Sequence, residues 1–231
     1  MGPAEGSLDF PTVIDQMEAL ATEKHTFKTL LIDSISKLFQ TCIANESEKL
    51  GDSDQYGASK KPAVRNMRRM INWSMKLDMN IWFVAHESIE WGLDPKSKQR
   101  TEIGKMPDVW DKLPYELDLV LQVQKRGNSR IAIVKKSRLV GFPDMDTFPL
   151  EYAEFAARYG KDFIEAEVKP IVLATPEQVA EIKRILELVR IDGATVEKLL
   201  SKANAESWEE LETDQAAATI NWLNNKLKGG K

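Results

Sequence analysis

The sequence predicts an α/β fold: a mostly parallel sheet flanked by helices, followed by a small helical module. Two short apolar runs, at residues 29–33 and 81–85, have the length of strands, and stretches of helical periodicity separate them. From about Thr175 onward only helical spacing remains. A length of 231 residues accommodates one α/β domain and an appendage, divided here as 1–170 and 171–231.

Phe10 to Ala21 places Val13, Met17 and Leu20 on one helical face, with Pro11 near the helix start. Thr29–Asp33 is a strand that ends on an acid. A helix from about Ser34 to Lys49 follows, with Ile35, Leu38, Phe39, Cys42 and Ile43 inward. Residues 51–57 form a polar loop, and Pro62 opens a helix to about Leu77 with Val64, Met67, Ile71 and Met75 on its core side. Ile81–Ala85 is short and apolar enough for a buried parallel strand. Glu87 to about Pro107 reads as a long polar loop, a length that is usually functional in a compact domain. Leu117–Val123 and Arg130–Val134 read as strands joined at Gly127-Asn128. In the module, Thr175-Pro176-Glu177-Gln178 is a helix start, and Val179, Ile182, Ile185, Leu186 and Val189 follow at helical spacing. Asp192-Gly193 breaks that helix, 196–200 makes a second, and Thr213 to about Leu227 makes the last.

Composition narrows the function classes. The single cysteine, Cys42, excludes an intrachain disulfide and fits a reducing cytoplasm. No run of about 18 apolar residues occurs, so no membrane span is expected, and no basic-then-apolar leader opens the chain. Net charge is −4 but unevenly spread. Residues 58–75 carry Lys60, Lys61, Arg65, Arg68 and Arg69 without an acid; 124–141 carry Lys125, Arg126, Arg130, Lys135, Lys136 and Arg138, again without one. These are anion-facing surfaces or solvated faces. From Val172 to Leu227 ten acids oppose six bases, which favours protein contact or regulation over phosphate contact for the module.

The chemistry-bearing stretch is Thr29-Leu30-Leu31-Ile32-Asp33-Ser34. A buried strand that delivers one carboxylate to the sheet's C-terminal edge is how a P-loop NTPase holds Mg²⁺ beside phosphates. Asp33 also suits the N-cap of the helix that follows. The partner motif, G-x-x-x-x-G-K-S/T, occurs nowhere in the 231 residues. His86 lies just past the second strand, where a structural histidine is the usual reading. Trp82 reads as core, and Trp91 as a base-stacking candidate.

Taken in order, LLIDSISKLF, the DQYG loop, IWFVAHES and IVKKSR resemble the RecA-like P-loop ATPases that phages encode for single-strand annealing recombination, over about Asp9 to Tyr159. The resemblance implies a RecA-like sheet and an ATPase using ATP and Mg²⁺, with Asp33 as the metal-side catalytic acid and His86 as the sensor. It places Ser34, Lys135, Lys136 and Arg138 on the nucleotide, the last three reaching a neighbouring protomer's site. It turns the loops at about 45–59 and 87–107 toward single-stranded DNA; with the basic helix, these nominate Lys60, Lys61, Arg65, Arg68, Arg69, Trp91, Lys96, Lys98 and Arg100 as DNA contacts. A homo-oligomer is expected, as is a partner protein at the acidic module. Without the phosphate-binding loop the ATP site is incomplete in this chain. The alternatives are an inert RecA-like protein that binds a partner, or an ATPase truncated at its N-terminus.

Overall fold

The computed structural model describes residues 9–55, 57–189 and 191–229. The small, turn-prone start at Met1–Gly6 and Tyr56 of the DQYG stretch lie outside them. The chain divides into two compact units. One, here the α/β unit, comprises Thr26–Val64 and Met79–Val168; the other, the helical unit, comprises Met1–His25, Arg65–Asp78 and Lys169–Lys231.

In the α/β unit, β1 (Thr29–Asp33) lies parallel to β2 (Asn80–Val84), in a register that sets Asp33 opposite Val84. Between them in sequence comes α2 (Ile35–Leu50). Its N-cap is Ser34, whose hydroxyl accepts from the Lys37 N–H at 3.3 Å. Ile35, Leu38 and Phe39 are buried as expected, whereas Cys42 and Ile43 are half-buried because the apolar stripe drifts off the inner face after two turns. β2 is half-buried from Asn80 to Phe83 and exposed at Val84, rather than fully buried.

The expected mostly parallel sheet is confined to β1 and β2; every other pairing among the described residues is antiparallel. The supposed loop at 87–107 is a hairpin of β3 (Glu87–Leu93) and β4 (Arg100–Pro107). The reason is a period of two in β3. Ile89, Trp91 and Leu93 alternate with Ser88, Glu90 and Gly92, and Asp94 closes the turn by accepting from the Lys96 and Ser97 N–H groups at 2.8 and 2.7 Å. β5 (Leu119–Arg126) and β6 (Ser129–Ser137) form the expected second hairpin about Gly127, which has a φ of 60°. A third strand, β7 (Thr147–Pro149), pairs with β6. Ala132, Val134, Phe142 and Phe148 form the core of this sheet, packed against Leu119, Leu121 and Phe155. Trp82 joins through Phe155, ring centroids 4.9 Å apart. The short α4 (Leu113–Glu116) precedes β5, and α5 (Tyr152–Tyr159) and α6 (Lys161–Ile164) close the unit.

The helical unit contains α1 (Phe10–Thr22), the larger part of α3 (Lys60–Lys76), and α7 (Pro176–Leu188), α8 (Gly193–Lys202) and α9 (Thr213–Gly229). Asp9 caps α1, and the buried stripe is Phe10, Ile14, Met17 and Ala21. The expected stripe of Val13, Met17 and Leu20 is therefore rotated, since Phe10 anchors the first turn. On α3 the buried residues include Met67, Met70, Ile71 and Trp73, and Met75 is exposed instead of inward. A reciprocal capping box of Thr175 and Gln178 starts α7. Val179, Ile182, Ile185, Trp208, Leu211, Ala216 and Leu223 pack as one core across α7, α9 and the single turn at 208–210. Among the described residues no helix is long and apolar enough to cross a membrane.

Candidate functional site

The C-terminal edge of the parallel pair gathers the chemistry. β1 carries Asp33 to that edge, and its carboxylate is exposed, with no ion pair or hydrogen bond to the described residues. Ser34 caps α2, so the Asp33 carboxylate is not used as the helix cap. The peptide bond between Asp33 and Ser34 is cis.

β2 ends two residues before His86, which is exposed. Its backbone is held from both sides. The buried Ser36 hydroxyl accepts from the His86 N–H at 2.8 Å, and the His86 carbonyl accepts from the Asp108 N–H at 2.8 Å. Gln40 Nε2 then donates to Asp108 Oδ1 at 3.1 Å. This string of Ser36, His86, Asp108 and Gln40 was not legible as a site. Its one sequence signal is the second hydroxyl in Asp33-Ser34-Ile35-Ser36.

Asp33 fits Mg²⁺ only as one ligand among several. Among the described residues no group of three His, Cys, Asp or Glu side chains could cage an ion. A lone carboxylate at a strand end suits an ion that is held mainly by phosphate oxygens and water.

Of the basic residues expected at the nucleotide, Lys136 and Arg138 are turned to one internal task. Lys136 Nζ donates to the carbonyls of Pro114 (2.9 Å), Tyr115 (3.3 Å) and Leu117, at the C-terminal end of α4. Desolvation by burial, then the neighbouring Arg138, hold the Lys136 ammonium below the usual lysine range. Arg138 donates to the Tyr115 carbonyl at 2.5 Å and lies 3.5 Å from Asp118. Lys135 is different. Val120 pairs with Lys136 and Leu121 with Val134, so Lys135 is the extra residue of a β-bulge, and it is exposed.

The residues nominated for DNA fall into two groups. On α3, Lys60 lies 3.5 Å from Asp111 and Lys61 is exposed. Arg65 lies 3.6 Å from Glu206, Arg69 lies 2.9 Å from Glu210, and Arg68 is exposed. Within the nominated loop 45–59, Asp54 is occupied: Ser47 donates to it at 2.7 Å and the Ser59 N–H at 3.1 Å, which hold its carboxyl below the usual range.

The hairpin is the second group. Lys96, Lys98 and Arg100 sit at its tip and make no ion pair among the described residues, while the only acid there, Asp94, is folded into the turn. The Arg100 guanidinium stands over the Trp91 ring at 5.3 Å, and Trp91 is 49% exposed. Ile89 and Leu93 flank Trp91 on the same exposed face, the latter 70% exposed. In the sequence the polar residues of 87–107 mask that apolar face, and its alternation is the signal that reveals it.

No curated protein and no solved structure matches the chain. A family model described as an AAA domain matches residues 5–141, more than half of the 231. Together with the strand that ends on Asp33 and the helix behind it, that match places the chain in this AAA-domain family, with a P-loop ATPase-type α/β fold.

Proposed function

We propose that this chain is a nucleotide-binding protein of DNA recombination that holds single-stranded DNA on the β3–β4 hairpin. The observation that carries the reading is where the hairpin starts. It springs from the residue after His86, at the edge to which β1 brings Asp33, and it combines an exposed Trp91–Arg100 pair with a cationic tip. Stacking on an exposed aromatic is indifferent to base identity, and unpaired cations near it attract the sugar-phosphate backbone.

On the nucleotide side, Asp33 would hold Mg²⁺ and His86 would face the phosphates. The ion, when bound, neutralises phosphate charge. Ser36 and Asp108 fix the His86 backbone so that its imidazole stays at the edge. The 231 residues contain no G-x-x-x-x-G-K-S/T stretch, so a phosphate grip needs groups from outside them, either a preceding segment of a longer chain or a partner chain. Assembly belongs to the second of these.

The test is equilibrium binding of Mg-ATP, with and without single-stranded DNA, followed in the analytical ultracentrifuge so that assembly is read at the same time. Micromolar binding that is weakened by Asp33→Asn and accompanied by assembly is expected. No binding in either condition would remove the nucleotide half of the reading, and a strictly monomeric chain would remove the shared site. An inert scaffold has one observation in its favour. Among the described residues β1 and β2 pair only with each other, and Leu31 on β1 is exposed, an edge that a partner strand could cover.

A further inference from the structure

The helical unit contains a row of cations that its own acids occupy. Arg65 and Arg69, four residues apart on α3, share a face of the helix. Opposite them stand Glu206 and Glu210, also four apart. Glu210 divides its carboxylate, Oε1 accepting from Arg69 Nη2 at 2.9 Å and Oε2 from the Glu206 N–H at 2.8 Å. Glu206 lies 3.6 Å from Arg65. Lys76, farther along α3, donates to the Glu210 carbonyl.

The match is incomplete in one respect. Glu210 engages Arg69 through one nitrogen, and among the described residues the buried Nε of Arg69 has no hydrogen-bond partner. An arginine fork satisfied on one prong only is the geometry that a side-on oxyanion would improve. The Glu210 side chain is 10% exposed, so such an oxyanion reaches the fork only by displacing it.

We infer that Glu206 and Glu210 are a built-in anionic competitor: they occupy Arg65 and Arg69 in place of two consecutive phosphates of a single strand, and the strand must displace them to use α3. This rests on the reading that the chain binds single-stranded DNA. The α3 arginines make their contacts only after the acids are displaced.

The experiment measures binding of a fluorescent oligo(dT) to the full chain across a salt series. Glu206→Gln with Glu210→Gln is expected to add two phosphate contacts, steepening the salt dependence by about 1.4 and making affinity fall about sevenfold more between 50 and 200 mM salt. Adding Arg65→Gln and Arg69→Gln to that variant should cancel the gain. Glu187→Gln with Glu197→Gln makes the same charge change at exposed acids without ion pairs among the described residues, and should leave the slope alone. Should the buried Glu210 variant fold poorly, hydrogen exchange on the unaltered chain gives an independent readout: the strand displaces the acids there in a minor share of complexes, and saturating oligo(dT) should therefore raise exchange across residues 206–211. Tight, Trp91-dependent binding with an unchanged slope and unchanged exchange overturns the competitor and leaves the DNA reading standing. No binding by any variant removes both.

Discussion

Trp91 and Lys136 show how differently two conspicuous residues can be used. Trp91 stands on an open hairpin face with Arg100 over its ring, while Lys136 spends its ammonium on three carbonyls near the end of α4. Trp91→Ala is therefore expected to weaken single-strand binding by about 1–3 kcal/mol, the usual worth of one stacked base, without lowering thermal stability. A fluorescence titration of oligo(dT) alongside a melting curve checks both halves. An unaltered affinity would take the aromatic out of the interface. At this scale the sequence was ambiguous wherever two roles shared one residue type. Asp33 and Ser34 both suit a cap, and only the geometry assigns the cap to Ser34. Arg65 and Arg69 look like free cations until the fold brings Glu206 and Glu210, about 140 residues later, against them.

Elements with strong local signals formed where their residues said. The Thr175–Gln178 box opens α7, and Gly127 turns β5 into β6. Elements whose signal was period two inside a polar stretch did not declare themselves, and the 87–107 hairpin is the clearest case, because Lys, Gly and Pro mask the alternation of Ile89, Trp91 and Leu93. Short elements such as β7 and α6 carry too few residues to show any period. The β6–β7 connection offers a test of packing. A Cβ on Gly141 would stand 2.2 Å from the Arg158 carbonyl oxygen, on the last turn of α5. Gly141→Ala should therefore cost about 1–3 kcal/mol by overpacking, read as a lower denaturation midpoint. A midpoint equal to that of the unaltered chain would mean that the connection shifts freely.

Across the whole molecule, carboxylates tie loops to the frame. Hydrogen bonds from Ser47 hold Asp54, from the Ser97 and Lys96 N–H groups Asp94, and from Arg158 and the Thr147 N–H Asp146, each below the usual range. A carboxyl lowered in the folded state stabilises fully above its unfolded value, about 3.9 for Asp, and the gain is lost as pH falls through the lowered folded value. Melting temperature should therefore drop on acidification below about pH 4. Replacing all three with Asn should lower it at neutral pH and flatten the acid limb, and an acid limb as steep as before would show that other groups govern it. In the division of the chain α3 supplies residues to both units, and no composition shift marks Arg65. One further consequence follows from the Asp108 N–H that locks onto the His86 carbonyl at the foot of the hairpin. Seven residues of β3 span about 23 Å between that peptide and the hairpin tip. A tilt of about 5° at the foot carries the cationic tip through about 2 Å, enough to make or break a contact at the far end.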